Sequence, residues 1–152
     1  METVEIKELV RARYGDIATG EDAVRRYKTY GVDAVLIGRG ALRNPFIFEQ
    51  AEKVLKGVDP GKPRIEDYLQ IMREQRELLE ATYPPRMAMI HARKFLAWYS
   101  AGFPGCHEYR KKLFSITEPE VIWAETFEFF TRNTSNRDLE FMSQPFLMGG
   151  HG

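Results

Sequence analysis

Cysteine is almost missing from this sequence, with Cys106 as the single thiol. One thiol excludes an internal disulfide and a cysteine-rich metal site, and it fits a reducing compartment. An excess of either charge is missing too, because 22 Lys and Arg balance 22 Asp and Glu. That balance excludes a globally basic nucleic-acid binder but leaves room for a local patch. No stretch approaches the roughly 20 apolar residues that a membrane-spanning helix needs. The acidic start, Met1-Glu2-Thr3-Val4-Glu5, also lacks the basic and apolar regions of a secretory signal. The expected compartment is therefore the cytoplasm, with no membrane partner. His91, His107 and His151 have no ligand-type spacing, so no metal site is expected. What remains is ordinary for a folded protein: 43% hydrophobic and 12% aromatic residues in a chain of 152. Such a length makes one domain, or at most two small ones.

Composition and periodicity separate the chain into segments. Residues 1–56 read as α/β. Within them Thr19, with Asp22 three positions on, resembles the start of a helix, and Gly31 supplies a left-handed stop about a dozen residues later. Asp33-Ala34-Val35-Leu36-Ile37 is a short apolar run between glycines, the pattern of a parallel strand buried on both faces. Gly38-Arg39-Gly40-Ala41-Leu42 then reads as a loop entering a helix, and Asn44-Pro45 marks another helix start near Phe46. Residues 57–63 hold two glycines and two prolines and read as a linker.

Residues 64–132 are expected to be helical. Ile65, Leu69, Met72 and Leu79, with Tyr68, recur at helical spacing until Pro84-Pro85. A second helix is expected from about Met87 to Ala101, followed by a turn at Gly102-Phe103-Pro104-Gly105, and a third from about His107 to Phe114. Thr117 is the expected cap of the fourth, with Glu120 three residues on, Pro119 in its first turn, and Trp123, Phe127 and Phe130 on one face. Four helices with short connections suggest a four-helix bundle. Residues 133–152 carry no clear periodicity and are expected to be a flexible tail.

Two glycine loops, Gly15-Asp16 and Gly38-Arg39-Gly40, lie one βα unit apart. In parallel barrels the loops after the last two strands form a phosphate cradle from backbone N–H groups, and glycine lets the anion approach them. Taken alone, ordinary strand-to-helix turns explain the same spacing. The longer strings are more specific. Gly15-Asp16-Ile17, Gly31 through Leu42, and Asn44-Pro45-Phe46-Ile47-Phe48 closely resemble the end of the flavin barrel in tRNA-dihydrouridine synthases. Ala92-Arg93-Lys94-Phe95-Leu96-Ala97-Trp98-Tyr99, followed by Phe103-Pro104-Gly105, resembles the same family's C-terminal helical domain.

The resemblance implies a mainly α protein in which a short α/β segment, the C-terminal remnant of a TIM barrel, precedes the helices. A full barrel takes about 250 residues, so the first six strands have no counterpart in this sequence. The resemblance also implies a reaction in which NADPH reduces FMN and the flavin reduces a uracil ring in tRNA, with a barrel-loop cysteine as proton donor. By the same resemblance Gly15, Asp16, Gly38 and Arg39 line the FMN phosphate, so the FMN site here is partial. The family usually has asparagine where Tyr14 stands and an apolar strand before it. Val10-Arg11-Ala12-Arg13-Tyr14 instead places two arginines there, and the seventh strand is expected to be absent or rearranged. Cys106 lies in the helical region, away from the family's thiol, and reads as a partly buried small residue at a helix start. No catalytic residue is assigned.

RNA contact is the chemistry the residues themselves favour. Arg86, Arg93, Lys94, Arg110, Lys111 and Lys112 stand against one acid, Glu108, between residues 86 and 114, while Glu118, Glu120, Glu125 and Glu128 follow with no Lys or Arg among them. Arg86 and Arg93 are seven positions apart, close to two helical turns, and can project together. Such a patch releases counterions on meeting phosphates. The bland alternative pairs these cations with Glu118, Glu120 or Glu125. Trp98 and Tyr99 could stack on bases, although core packing suits Trp98 better. The expected function is thus that of the C-terminal part of a tRNA-dihydrouridine synthase, inactive alone, with tRNA and a missing N-terminal barrel segment as partners. The rival is a non-catalytic helical module that binds RNA or protein.

Overall fold

The structure, a computed structural model, describes residues 17–133. Gly15, Asp16, the residues expected to form a seventh strand, the tail from residue 134 and His151 lie outside the described residues. The chain divides at Gly61/Lys62 into two compact units. Among the described residues every regular element is a helix, so the fold is mainly α. No described helix is long and apolar enough to cross a membrane.

In the first unit, α1 spans Gly20–Tyr30, α2 Gly40–Arg43 and α3 Ile47–Leu55. Thr19 opens α1: its Oγ1 accepts a hydrogen bond from the Asp22 amide at 3.1 Å. Gly31 closes it at φ +57°, a left-handed conformation that suits glycine. Both ends are where residue chemistry puts them. Asn44 sets the start of α3. Its buried side chain accepts from the Phe46 amide at 3.3 Å and donates to Gln50 Oε1 at 2.7 Å. Ile17, Ala23 and Ile47 form the buried centre of this unit, with Val35, Ile37, Ala41 and Ala51 packed against it.

The strand expected at Asp33–Ile37 does not form among the described residues. The apolar run is half used: Val35 and Ile37 face the core, while Leu36 is 93% exposed. The physical reason is that strand status needs a neighbour. A parallel strand satisfies its N–H and C=O groups on adjacent chains, and no described segment offers itself alongside.

The second unit holds α4 (Ile65–Thr82), α5 (Pro85–Tyr99), α6 (Cys106–Ser115) and α7 (Pro119–Arg132). Helix α4 packs on α5 and α7, α5 on α6 and α7, and α6 on α7. Tyr68, Met72 and Leu79 of α4, Leu96 of α5, Leu113 of α6 and Ile122 of α7 are buried along these contacts. Phe103, in the turn after α5, sits edge-on to Tyr68 (5.4 Å between ring centres) and to Phe130 (5.2 Å), and so ties the turn to α4 and α7. Pro85 occupies the first turn of α5, where its missing N–H does no harm.

One expected cap is corrected. Glu118, not Thr117, is the residue preceding α7, and no side chain caps that end. Pro119 at the first helical position fixes the boundary one residue later than the cap pattern implies. Glu120, the other half of the expected cap, is drawn away to Arg76 of α4 at 2.6 Å.

Candidate functional site

Two sets of residues bear on function, one in each unit. In the first, Gly38, Arg39 and Gly40 turn the chain from the Val35–Ile37 segment into α2. The two glycines serve different ends. A Cβ on Gly40 would lie 1.7 Å from the Ile17 carbonyl oxygen, so this residue is glycine because two backbone segments touch there. Gly38 has no such reason. A Cβ built on it meets nothing within 4 Å, its φ is not in the left-handed range, and it is exposed. Neither packing nor turn geometry among the described residues asks for glycine at 38, and the backbone there is open.

The amides of Ala41 and Leu42 are already turned into α2, donating to the Gly38 and Arg39 carbonyls at 3.1 Å. Arg39, at the N-terminal boundary of α2, is exposed and follows Gly38 directly in the chain. An exposed arginine beside an unobstructed backbone has the donor chemistry that an anion requires. Gly15 and Asp16, the other two residues of the expected cradle, lie outside the described residues.

The basic residues of the second unit divide by what they touch. Arg93 of α5 donates to the Ile116 carbonyl just past α6, and reaches Met89 Sδ at 3.8 Å. Arg110 of α6 returns the connection, donating to Ser100 Oγ at the end of α5 at 3.2 Å and approaching Cys106 Sγ at 3.7 Å. These two arginines brace antiparallel α5 and α6 at opposite ends. Lys112 pairs with Glu125 of α7 at 2.6 Å, as the bland alternative expects for that residue. Arg86, Lys94 and Lys111 are exposed and make no ion pair among the described residues. Arg86 and Arg93 therefore do not project as an equivalent pair.

Tyr99 is buried at 6% exposure, and burial pushes its phenol pKa up. Trp98 is half-buried, edge-on to Phe95 at 5.5 Å. Neither of the aromatics singled out in the sequence stands open on the basic face. Among the described residues the most open aromatic of this unit is Phe114 of α6, 56% exposed, which the sequence reading gave no role. Its phase was readable: Phe114 falls three residues after Lys111 and seven after His107, on one face of the helix.

Among the described residues the other reactive side chains form no constellation. Cys106 begins α6, half-buried against Arg110. His91 packs at a tilt against Tyr83, with ring centres 4.7 Å apart. Among the described residues no three His, Cys, Asp or Glu side chains gather as a metal-holding group. A separate pocket of about 350 Å³ lies between α4, α5 and α7, with Leu79, Met89, Ile122 and Trp123 in its walls and Glu80 and Glu120 at its edge. Arg76 holds both glutamates, at 2.8 and 2.6 Å. Burial works against charge on Arg76, but those hydrogen bonds outweigh it and hold its pKa up.

Comparison with known sequences adds an independent line. Residues 8–135 match the family described as dihydrouridine synthase. The chain is similar to the tRNA-dihydrouridine synthase B of Pseudomonas putida, 32% identical over 127 residues, which cover 83% of this chain and 38% of that protein. It is similar to a probable tRNA-dihydrouridine synthase of Rickettsia conorii, 30% identical over 118 residues, covering 77% of this chain and 36% of that one. It is also similar to a probable tRNA-dihydrouridine synthase of Mycobacterium leprae, at 35% identity over 100 residues, 65% of this chain and 26% of the relative. The chain thus spans little more than a third of the length of such relatives, or less.

Proposed function

The chain belongs to the dihydrouridine synthase family, and on that premise we propose that it is the C-terminal portion of an FMN-dependent tRNA-dihydrouridine synthase. The parent enzyme reduces uridine to dihydrouridine in tRNA, with NADPH as reductant. In this reading residues 1–56 are the end of the flavin barrel, 57–63 a linker and 64–132 a four-helix RNA-contacting bundle, acting in the cytoplasm.

Gly38 and Arg39, with Gly15 and Asp16, hold the phosphate end of FMN, which when bound supplies the hydride-transfer chemistry. The open backbone at Gly38 supports this role, since a side chain there would stand between the amide and the anion. Arg86, Lys94 and Lys111 meet phosphates of tRNA directly. Arg93, Arg110 and Lys112 belong to the same basic surface and also hold it in shape through Ile116, Ser100 and Glu125. No residue of this chain is assigned as proton donor, so the chain alone does not catalyse. An N-terminal barrel segment is the partner that completes the flavin site and covers Leu36.

The observation that carries the reading is the set of three exposed cations on α5 and α6 with no acidic partner among the described residues. Charge placed this way without compensation favours a polyanion. One observation favours the rival, a non-catalytic RNA-binding module: the Asp33–Ile37 segment joins no sheet, which leaves the cradle without its usual support. Two titrations separate them. Quenching of FMN fluorescence at micromolar protein, together with tRNA binding that Lys94→Glu and Lys111→Glu abolish at low salt, is the expected result. RNA binding without flavin binding selects the module, and tRNA affinity unchanged by both reversals refutes the basic surface.

A further inference from the structure

We propose that Phe114 is a stacking platform for an unpaired RNA base, so that the basic surface reads single-stranded or looped nucleotides in preference to duplex. The inference rests on the RNA-binding reading above and deepens it. Isolated apolar residues on a surface are common and need no explanation. Phe114 differs in its company.

At 56% exposure it is the most open aromatic of the helical unit among the described residues, and it makes no ring–ring contact there. Lys111 lies one turn before it on the same helical face, exposed and without an ion pair among the described residues. Arg93 grips the carbonyl of Ile116, two residues past the ring, and so draws the basic stretch of α5 beside the end of α6 that carries it. Lys94 follows Arg93 in sequence and is exposed. A ring with an exposed cation one helical turn away is matched to a nucleotide, whose base offers a π-face and whose phosphate offers a charge. Bases inside a duplex have their faces covered by neighbouring pairs. A ring standing on a helix surface can therefore stack only on a base that is unpaired or turned out.

The test uses the full chain, a fluorescently labelled oligouridylate and a fully base-paired, blunt-ended RNA duplex. Phe114→Ala is expected to weaken oligouridylate binding at least about fivefold, leaving duplex affinity and the salt dependence of binding unchanged. Phe114→Tyr is expected to restore the lost affinity. Because the side chain is largely exposed, the variants should melt with the wild type, and matched circular-dichroism melts check this. If wild-type protein binds both RNAs and Phe114→Ala alters neither, the platform is refuted while the RNA reading stands. Equal weakening toward both RNAs also refutes it, as does an effect confined to self-association, which would give the ring to a second copy of the chain. If the wild type binds neither RNA, the RNA reading itself fails and the platform with it.

Discussion

Gly38 and Gly40 are chemically identical and two positions apart, yet they answer to different constraints. The sequence presents both as members of one glycine-rich loop. Only the approach of the Ile17 carbonyl, a contact between segments more than twenty residues apart, assigns Gly40 to packing and leaves Gly38 open. Gly40→Ala should therefore push residue 17 out of its place beside Ala23 and Ile47. That displacement is expected to cost a few kcal/mol, about the size of other strained or overpacked substitutions. Gly38→Ala should change stability by no more than about 0.5 kcal/mol, as at an unobstructed surface position. Urea denaturation of the two variants checks the difference, and FMN titration of Gly38→Ala then reads binding without a folding defect. Equal destabilisation by both would mean that Gly38 is glycine for the fold. The basic residues teach the same lesson: residue type marks all six, but only tertiary contacts separate the bracing Arg93 and Arg110 from the exposed Arg86, Lys94 and Lys111.

At the scale of elements, helices were legible where their ends are set by local chemistry. Thr19 and Gly31 bound α1 because a hydroxyl oxygen and a left-handed glycine act on their own neighbours. The start of α5 lies at Pro85, two residues before the expected Met87, because a proline that stops α4 also suits the first turn of the next helix. The strand at Asp33–Ile37 was not legible, because its pattern describes a demand for neighbours that the described residues do not meet. The α7 start failed differently. Thr117 and Glu120 have the cap spacing, but Arg76, 44 residues before Glu120, takes its carboxylate. Capping therefore yields a matched pair of substitutions. Thr19→Ala removes the acceptor for the Asp22 amide and should cost about 1 kcal/mol. Thr117→Ala, at a position that caps nothing, should leave the denaturation midpoint within error of the wild type. Equal costs at the two sites would contradict the assignment of Glu118 as the boundary of α7.

Across the whole molecule, the neutral total conceals a division that the sequence showed plainly, with basic residues on α5 and α6 and four glutamates between residues 118 and 128. What it could not show was which polar groups the core would enclose. Tyr109 is one of them, stacked on Phe129 with 4.2 Å between ring centres. Its hydroxyl lies 2.8 Å from Thr126 Oγ1, which itself donates to the Ile122 carbonyl at 2.7 Å. Thr126 has one hydroxyl proton and uses it on that carbonyl, so Tyr109 must be the donor in the bond between them. A tyrosinate there would be a buried charge without its own proton to give. Burial accordingly pushes the Tyr109 pKa far above its ordinary value, and burial also raises that of Tyr99. Both shifts are upward, so the folded protein keeps protons that the unfolded chain releases. The associated stability is fully present below about pH 10, the ordinary tyrosine value, and is lost as pH rises beyond it. Urea midpoints should therefore show no tyrosine-dependent fall from neutral pH to the onset of that range, and a decline above it. Tyr109→Phe keeps the ring against Phe129 and removes the titrating group, so it should flatten the alkaline decline even if it lowers stability at neutral pH through the lost hydrogen bond. An alkaline slope identical to that of the wild type would show that the phenol reaches solvent before the protein unfolds.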